Sequence, residues 1–152
     1  MYDVIFVCTG NTCRSPMAQA MAESLLPGLR FASMGVAASE GHPASSGAIA
    51  AMEAMGLCLA AHRSRGIDRE ALAKAKLVLA MTKHHKSAVE SFCTEANACT
   101  LAEYAGQGQD ISDPFGGDLH TYEECADEIS ALLSACLDKL SELLKHPESG
   151  GA

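Results

Sequence analysis

The stretch with the clearest chemistry is "VCTGNTCRSPMAQA", residues 7–20. Cys8 and Arg14 bracket five small or polar residues, and Ser15-Pro16 opens a helical segment directly afterwards. Backbone N–H groups of a tight loop that runs into a helix N-terminus converge on one point, where they and the helix dipole favour an anion. Gly10 permits a backbone shape that most residues refuse. Arg14 adds a planar fork able to grip two phosphoryl oxygens. Cys8, at the start of the loop, faces the same point, and a positive surrounding favours its thiolate over its thiol. Ser15 is placed to donate a further hydrogen bond to the sulfur. A thiolate that attacks phosphorus splits one difficult hydrolysis into two easier steps through a covalent intermediate. Such a reaction also needs an acid to protonate the leaving group and then activate water. Asp113 in "SDPFGG" is the candidate, because Pro114 restricts its conformation and Gly116-Gly117 allow a tight turn; Asp110 is its rival.

These residues need a scaffold. "DVIFVC" (3–8) is a short apolar run that predicts a buried strand, stopped at Thr9-Gly10-Asn11. Ser15 is expected to cap a helix over 16–26 with Pro16 at its first position. A second strand is expected over 29–33, then a loop of small residues over 34–47. Ile49, Met52 and Met55 give helical spacing closed by Gly56. Asp68 is expected to cap a short helix, with Ile67 and Leu72 as a hydrophobic staple. A strand over 76–81, a helix over 82–92, a weak strand over 98–101 and a turn-rich loop over 106–118 follow. Leu119, Tyr122, Cys125, Ala126, Ile129, Leu132, Leu133, Cys136, Leu137, Leu140 and Leu144 then form one helical stripe. Strands alternating with helices predict a single α/β domain: a four-stranded parallel sheet covered on both faces, with ligands at the carboxyl ends of the strands. The expected bounds are 1–145 for the domain and 146–152 for a tail.

Composition narrows the function further. The chain has 152 residues, 48% of them apolar and with a net charge of -8. A broad nucleic-acid or membrane surface needs a basic face, so neither partner is expected. No apolar run approaches the roughly 18 residues that span a bilayer, and Asp3 stands where a signal peptide carries basic residues, so a cytoplasmic protein is expected. Seven cysteines without a CxxC argue against a disulfide framework, and the histidines and cysteines lack zinc-site spacing, so neither metal nor cofactor is expected. Cys58, Cys93, Cys99, Cys125 and Cys136 read as packing residues and the methionines as core fillers. His84 and His85 are expected to cap a helix or face solvent.

"VCTGNTCRSPMA" together with "DPFGGD" resembles the low-molecular-weight protein tyrosine phosphatases, and within them the bacterial branch of protein arginine phosphatases. "HRSRGI", "LVLAMTKHHK" and "TLAEY" also fall where that family has similar segments. The resemblance implies that Cys8 is the nucleophile, Arg14 the phosphate clamp and Asp113 the acid and then base. It implies that Asn11 and Ser15 shape the loop and stabilise the thiolate, with Thr9, Gly10 and Cys13 completing the substrate cradle. Tyrosine-directed members usually have an aliphatic residue where this chain has Thr12. A threonine hydroxyl suits a polar guanidinium, so phosphoarginine in proteins is the expected substrate and phosphotyrosine the alternative. Phe115 is a pocket wall or a core residue. The resemblance also suggests that a Cys8–Cys13 bond could shield the nucleophile from oxidation. "SMGV" departs from the family's usual "SAGT" or "SAGV". An arsenate reductase would need two relay cysteines just after the third strand, where "MTKHHKSA" has none. A nucleotide-binding loop would need Gly-Lys-Ser/Thr. A non-catalytic phosphoresidue-binding module would need neither Cys8 nor Asp113.

Overall fold

The structure is a computed structural model and describes residues 1–145, so the expected tail at 146–152 lies outside the described residues. Four parallel strands, β1 (Val4–Cys8), β2 (Phe31–Gly35), β3 (Leu77–Ala80) and β4 (Ala98–Thr100), pair in the order β2-β1-β3-β4. β1 is central because "VIFVC" is buried along its whole length. Val4, Phe6 and Cys8 face one apolar cluster and Ile5 and Val7 face the other, the alternation a two-sided sheet demands.

On the first face lie α1 (Arg14–Leu25), α2 (Ser46–Ala54) and α6 (Leu119–Ala135), joined through Met17, Met21, Met52 and Ile129. On the second lie α3 (Arg69–Lys74) and α4 (Lys83–Phe92), which place Leu72 and Val89 against Ile5, Val7 and Val78. Burying such an aliphatic side chain contributes about 1.5–3 kcal/mol. Asp68 caps α3 through its side chain, and Ile67 packs in the same cluster as Leu72, as the staple requires.

The sequence expectations hold for the architecture and shift in detail. β2 starts and ends two residues later than 29–33, because its backbone pairs with all of β1 as far as Cys8↔Gly35. α1 begins at Arg14, and Cys13, not Ser15, is the N-cap, with no side-chain cap bond. Ser15 instead lies fully buried in the first turn. Pro16 is tolerated there because the first-turn N–H groups have no intrahelical partner. The segment 101–104 forms a short helix, α5 (Leu101–Tyr104), held by a capping box between Thr100 and Glu103. The long apolar stripe is not one helix. It breaks at Cys136 into α6 and α7 (Leu137–Ser141), followed by a 3-10 turn over Glu142–Lys145. Leu119 and Leu144, at the two ends of the stripe, are exposed. Cys58 is exposed rather than packed, and so are Met1 and Met55. No helix among the described residues is long and apolar enough to cross a membrane.

Candidate active site

β1 sits where the strand order reverses, with β2 on one side and β3 on the other. That point, at the carboxyl ends of the strands, is where open α/β sheets bind ligands. The loop from Cys8 to Arg14 emerges there. A cleft of about 260 Å³ opens over it, lined by Cys8, Thr9, Gly10, Thr12, Cys13, Arg14, Asp113 and Phe115. Residues far apart in sequence thus meet in one cavity.

Asn11 shapes the loop. It is the one non-glycine residue with positive φ among those described, at 57°. The left-handed region is uncommon for side-chain-bearing residues, and asparagine is enriched there. Gly10 does not carry that conformation, contrary to expectation; a Cβ at Gly10 would meet only Thr12 Oγ1, at 3.7 Å. Its bare backbone instead lines the mouth of the cleft. Asn11 is fully buried and every polar atom of its side chain is used. Nδ2 donates to Ser15 Oγ and to Ser33 Oγ, both at 2.9 Å, and Oδ1 accepts from Arg65 N at 2.9 Å. Ser33 passes the chain on to Gln19 Oε1 at 2.8 Å. His62 Nε2 lies 2.7 Å from the Asn11 carbonyl. A carbonyl only accepts, so His62 carries its proton on Nε2, and burial keeps its pKa below the ordinary value.

This network orients Ser15. Its Oγ already accepts from Asn11, which leaves its proton for Cys8 Sγ, 2.9 Å away. The Met34 carbonyl is a more distant alternative at 3.5 Å. Cys13 turns its Sγ towards Ser45 Oγ (3.3 Å) and Tyr122 OH (3.6 Å), tying the loop to α2 and α6. Cys8 and Cys13 are both free thiols. Thr12 lies between this cleft and a neighbouring one of about 400 Å³ that includes His42, Ser45 and Ser64. Its carbonyl accepts from Ser45 N.

Arg14 is 4% exposed. Burial of an unpaired guanidinium is expensive, so each of its nitrogens requires a partner. Nη1 donates to the Ile111 carbonyl at 2.8 Å, and Nη2 faces Asp113 Oδ2 at 3.6 Å. Nε is buried and has no hydrogen-bond acceptor among the described residues. A donor left over on a buried cation beside a cleft fits an anionic ligand.

Asp113 belongs to the loop between α5 and α6. The Pro114 carbonyl accepts from Gly117 N, and Gly116 has φ 82°, which together make a turn that needs glycine at its third position. Asp113 Oδ1 caps that turn by accepting from Phe115 N at 3.0 Å, and its side chain stays 52% exposed. Asp110 is otherwise engaged: its Oδ1 accepts from Lys83 N at 3.1 Å. Phe115 is 71% exposed and lines the cleft, so it is not a core residue.

Three contributors were not apparent as site residues from the sequence. The Ile111 carbonyl seats Arg14. His85, expected at a helix cap or in solvent, is 2% exposed and bonded to Thr9. Gly35 ends β2 directly beneath the loop. A Cβ there would stand 2.5 Å from Thr9 O and 2.9 Å from Asn11 N, both backbone atoms. Gly35→Ala is therefore expected to displace the loop. Overpacking of this kind costs about 1–3 kcal/mol, and a misplacement of about 1 Å costs on the order of 10²-fold in turnover. Melting temperature and kcat/KM of the variant check this; wild-type kinetics would show that the end of β2 does not shape the loop.

Comparison with known proteins agrees with the geometry. A protein-arginine-phosphatase of Geobacillus stearothermophilus is 43% identical over 143 residues, covering 91% of this chain and 96% of the relative. A low molecular weight protein-tyrosine-phosphatase, PtpB of Staphylococcus epidermidis, is 39% identical over 131 residues, covering 86% and 93%. A solved structure of the YwlE arginine phosphatase, a cysteine-to-serine mutant with a phosphorylated active site serine, superposes with a TM-score of 0.87 at 37% identity, covering 91% of this chain and 95% of that one. Residues 3–146 match the family described as low molecular weight phosphotyrosine protein phosphatase, and with the sheet order and the Cys8–Arg14 loop in place, the chain belongs to that family.

Proposed function

We propose that this protein is a cysteine-dependent protein phosphatase acting on phosphoarginine. The observation that carries the proposal is the shared cleft of Cys8 and Arg14, in which the buried guanidinium keeps Nε without an acceptor among the described residues. A phosphoryl group seated there receives Arg14 and the loop's N–H groups. Cys8 Sγ attacks phosphorus, an S–P bond forms, and the P–N bond to the substrate's guanidine breaks. Asp113 supplies the proton that the departing nitrogen takes up. In the second step Asp113 takes a proton from water, the water oxygen attacks phosphorus, and the S–P bond breaks to free inorganic phosphate and the thiolate. Ser15, fixed as a donor by Asn11, stabilises charge on the sulfur in both steps. A relative with a phosphorylated active site serine supports transfer to this position.

Thr12 supports the arginine preference. Thr12 lines the cleft, where an uncharged hydroxyl tolerates a polar guanidine better than an aliphatic group does. Phosphotyrosine is the second reading, favoured by the exposed ring of Phe115 in the same cleft. Thr12→Ile is expected to shift the ratio of kcat/KM for phosphoarginine over phosphotyrosine peptides by about 10-fold towards phosphotyrosine, the scale of one hydrogen bond. An unchanged ratio would remove Thr12 as selector. Arsenate reduction finds no support. Cys93, the first cysteine after β3, packs in the cluster on the sheet face opposite Cys8, too enclosed to relay a disulfide. A thiol nucleophile works only while reduced, which suits a cytoplasmic setting.

A further inference from the structure

His85 is buried and touches the catalytic loop by its side chain: Nε2 lies 2.8 Å from Thr9 Oγ1. Its other nitrogen, Nδ1, lies 3.0 Å from Thr82 Oγ1. The segment that carries it is anchored on both sides. Met81 N donates to Val7 O on β1, and Ile111 N, next to the acid loop, donates to Met81 O.

One tautomer of His85 links both contacts into a relay that ends on a donor over the cleft. Thr82 is the N-cap of α4, and its Oγ1 already accepts from His85 N at 3.2 Å. With the proton on Nε2 of His85, Nδ1 is an acceptor and the Thr82 hydroxyl donates to it. A neutral imidazole with Nδ1 as acceptor carries its proton on Nε2. In that tautomer Nε2–H donates to Thr9 Oγ1. Thr9 is exposed and lines the cleft, and with Nε2–H as its donor its hydroxyl proton turns to an anion over the loop. The neutral state is consistent with the surroundings. Burial, Arg14 and His84 push the pKa of His85 down to about 4, against weaker opposition from Asp113 and Asp110.

We propose that His85 is a positioning residue which, through the relay Thr82–His85–Thr9, makes the Thr9 hydroxyl a fixed donor to the transferring phosphoryl group. The proposal rests on the phosphatase function stated above. With Nδ1 protonated instead, Nε2 would accept the Thr9 proton and the cleft would lose that donor. A helix-capping role alone would be indifferent to the choice.

The test has two arms. Nitrogen-15 NMR of the wild-type protein near pH 7 reads the tautomer of His85 directly and requires no turnover. The Nε2–H form is expected; an Nδ1–H form or an imidazolium overturns the relay. Kinetics form the second arm. Thr9→Val, which keeps the shape and removes the donor, is expected to lower kcat about 10- to 100-fold, the range for a hydrogen bond to a charged group. His85→Leu is expected to lower kcat about 3- to 10-fold. His85→Gln, whose amide can donate from the position of Nε2, is expected to recover most of that loss. In the Thr9→Val background His85→Leu is expected to add less than about a further twofold loss. Independent, multiplying losses overturn the proposal. Absence of phosphate release by the wild type would sink the phosphatase function itself, a result distinct from turnover with the wrong tautomer.

Discussion

Cys8→Ser is expected to reduce phosphate release to background, a loss of about 10⁴-fold or more, while the protein stays folded and still binds inorganic phosphate. The reason is chemical. A serine hydroxyl is far harder to ionise than a thiol, yet it fits the same space, and nothing else in the loop changes. Ser15 Oγ, 2.9 Å from the sulfur, would bond a hydroxyl equally well. Arg14 keeps its seat on the Ile111 carbonyl, and its Nε still offers a donor to phosphate. Turnover is read by phosphate release from a phosphoarginine peptide and binding by calorimetry. Mass spectrometry of the variant after incubation with substrate is expected to find a phosphoryl group on the new serine at low occupancy. Turnover at the wild-type rate would refute a covalent mechanism at this position. Loss of phosphate binding would instead mean that the sulfur holds the cradle together.

Asp113→Asn is expected to lower kcat for phosphoarginine about 10²- to 10⁴-fold, the range for removal of a general acid. The loss should be much smaller for an aryl phosphate such as p-nitrophenyl phosphate, whose leaving group is a weak base. An arginine side chain departs as a strong base and must take up a proton as the P–N bond breaks. Little stability should be lost, because the carboxylate is 52% exposed and its contact with Arg14 is long, at 3.6 Å; exposed pairs contribute at most about 1 kcal/mol. Asparagine can still accept from Phe115 N and keep the turn. Asp110→Asn is the control. Its carboxylate faces the start of α4, bonded to Lys83 N, and the change should leave kcat within about twofold. Equal losses for both substrates in Asp113→Asn would show that Asp113 orients Arg14 instead of transferring a proton.

The loop from Cys8 to Arg14 is legible in the sequence, and the place of Asp113 beside it only partly so. Cys8, Arg14 and the helix that follows lie within a short local window, so spacing alone placed them around one point. The parallel sheet was equally legible, because short apolar runs alternate with helical segments. The helix starts two residues before its sequence signal: Ser-Pro looks like a cap, but in the fold Ser15 bonds Cys8 and Asn11, and the backbone turns at Cys13 instead. Positive φ falls on Asn11 and not on Gly10, because the hydrogen bonds around Asn11 hold a conformation that glycine more often adopts.

By itself the sequence determined that a thiol and a guanidinium share a loop after a buried strand, since local chain geometry fixes what neighbours within a few residues can do. It preferred Asp113 to Asp110 through the proline that follows, but it could not find Gly35, Ile111 and His85. Each of these acts across the sheet or between loops, at separations from Cys8 or Arg14 of tens of residues. Only the strand order decided them: with β2 and β3 on either side of β1, the ends of three strands surround one loop, and packing density there leaves room for glycine, a carbonyl and one neutral imidazole.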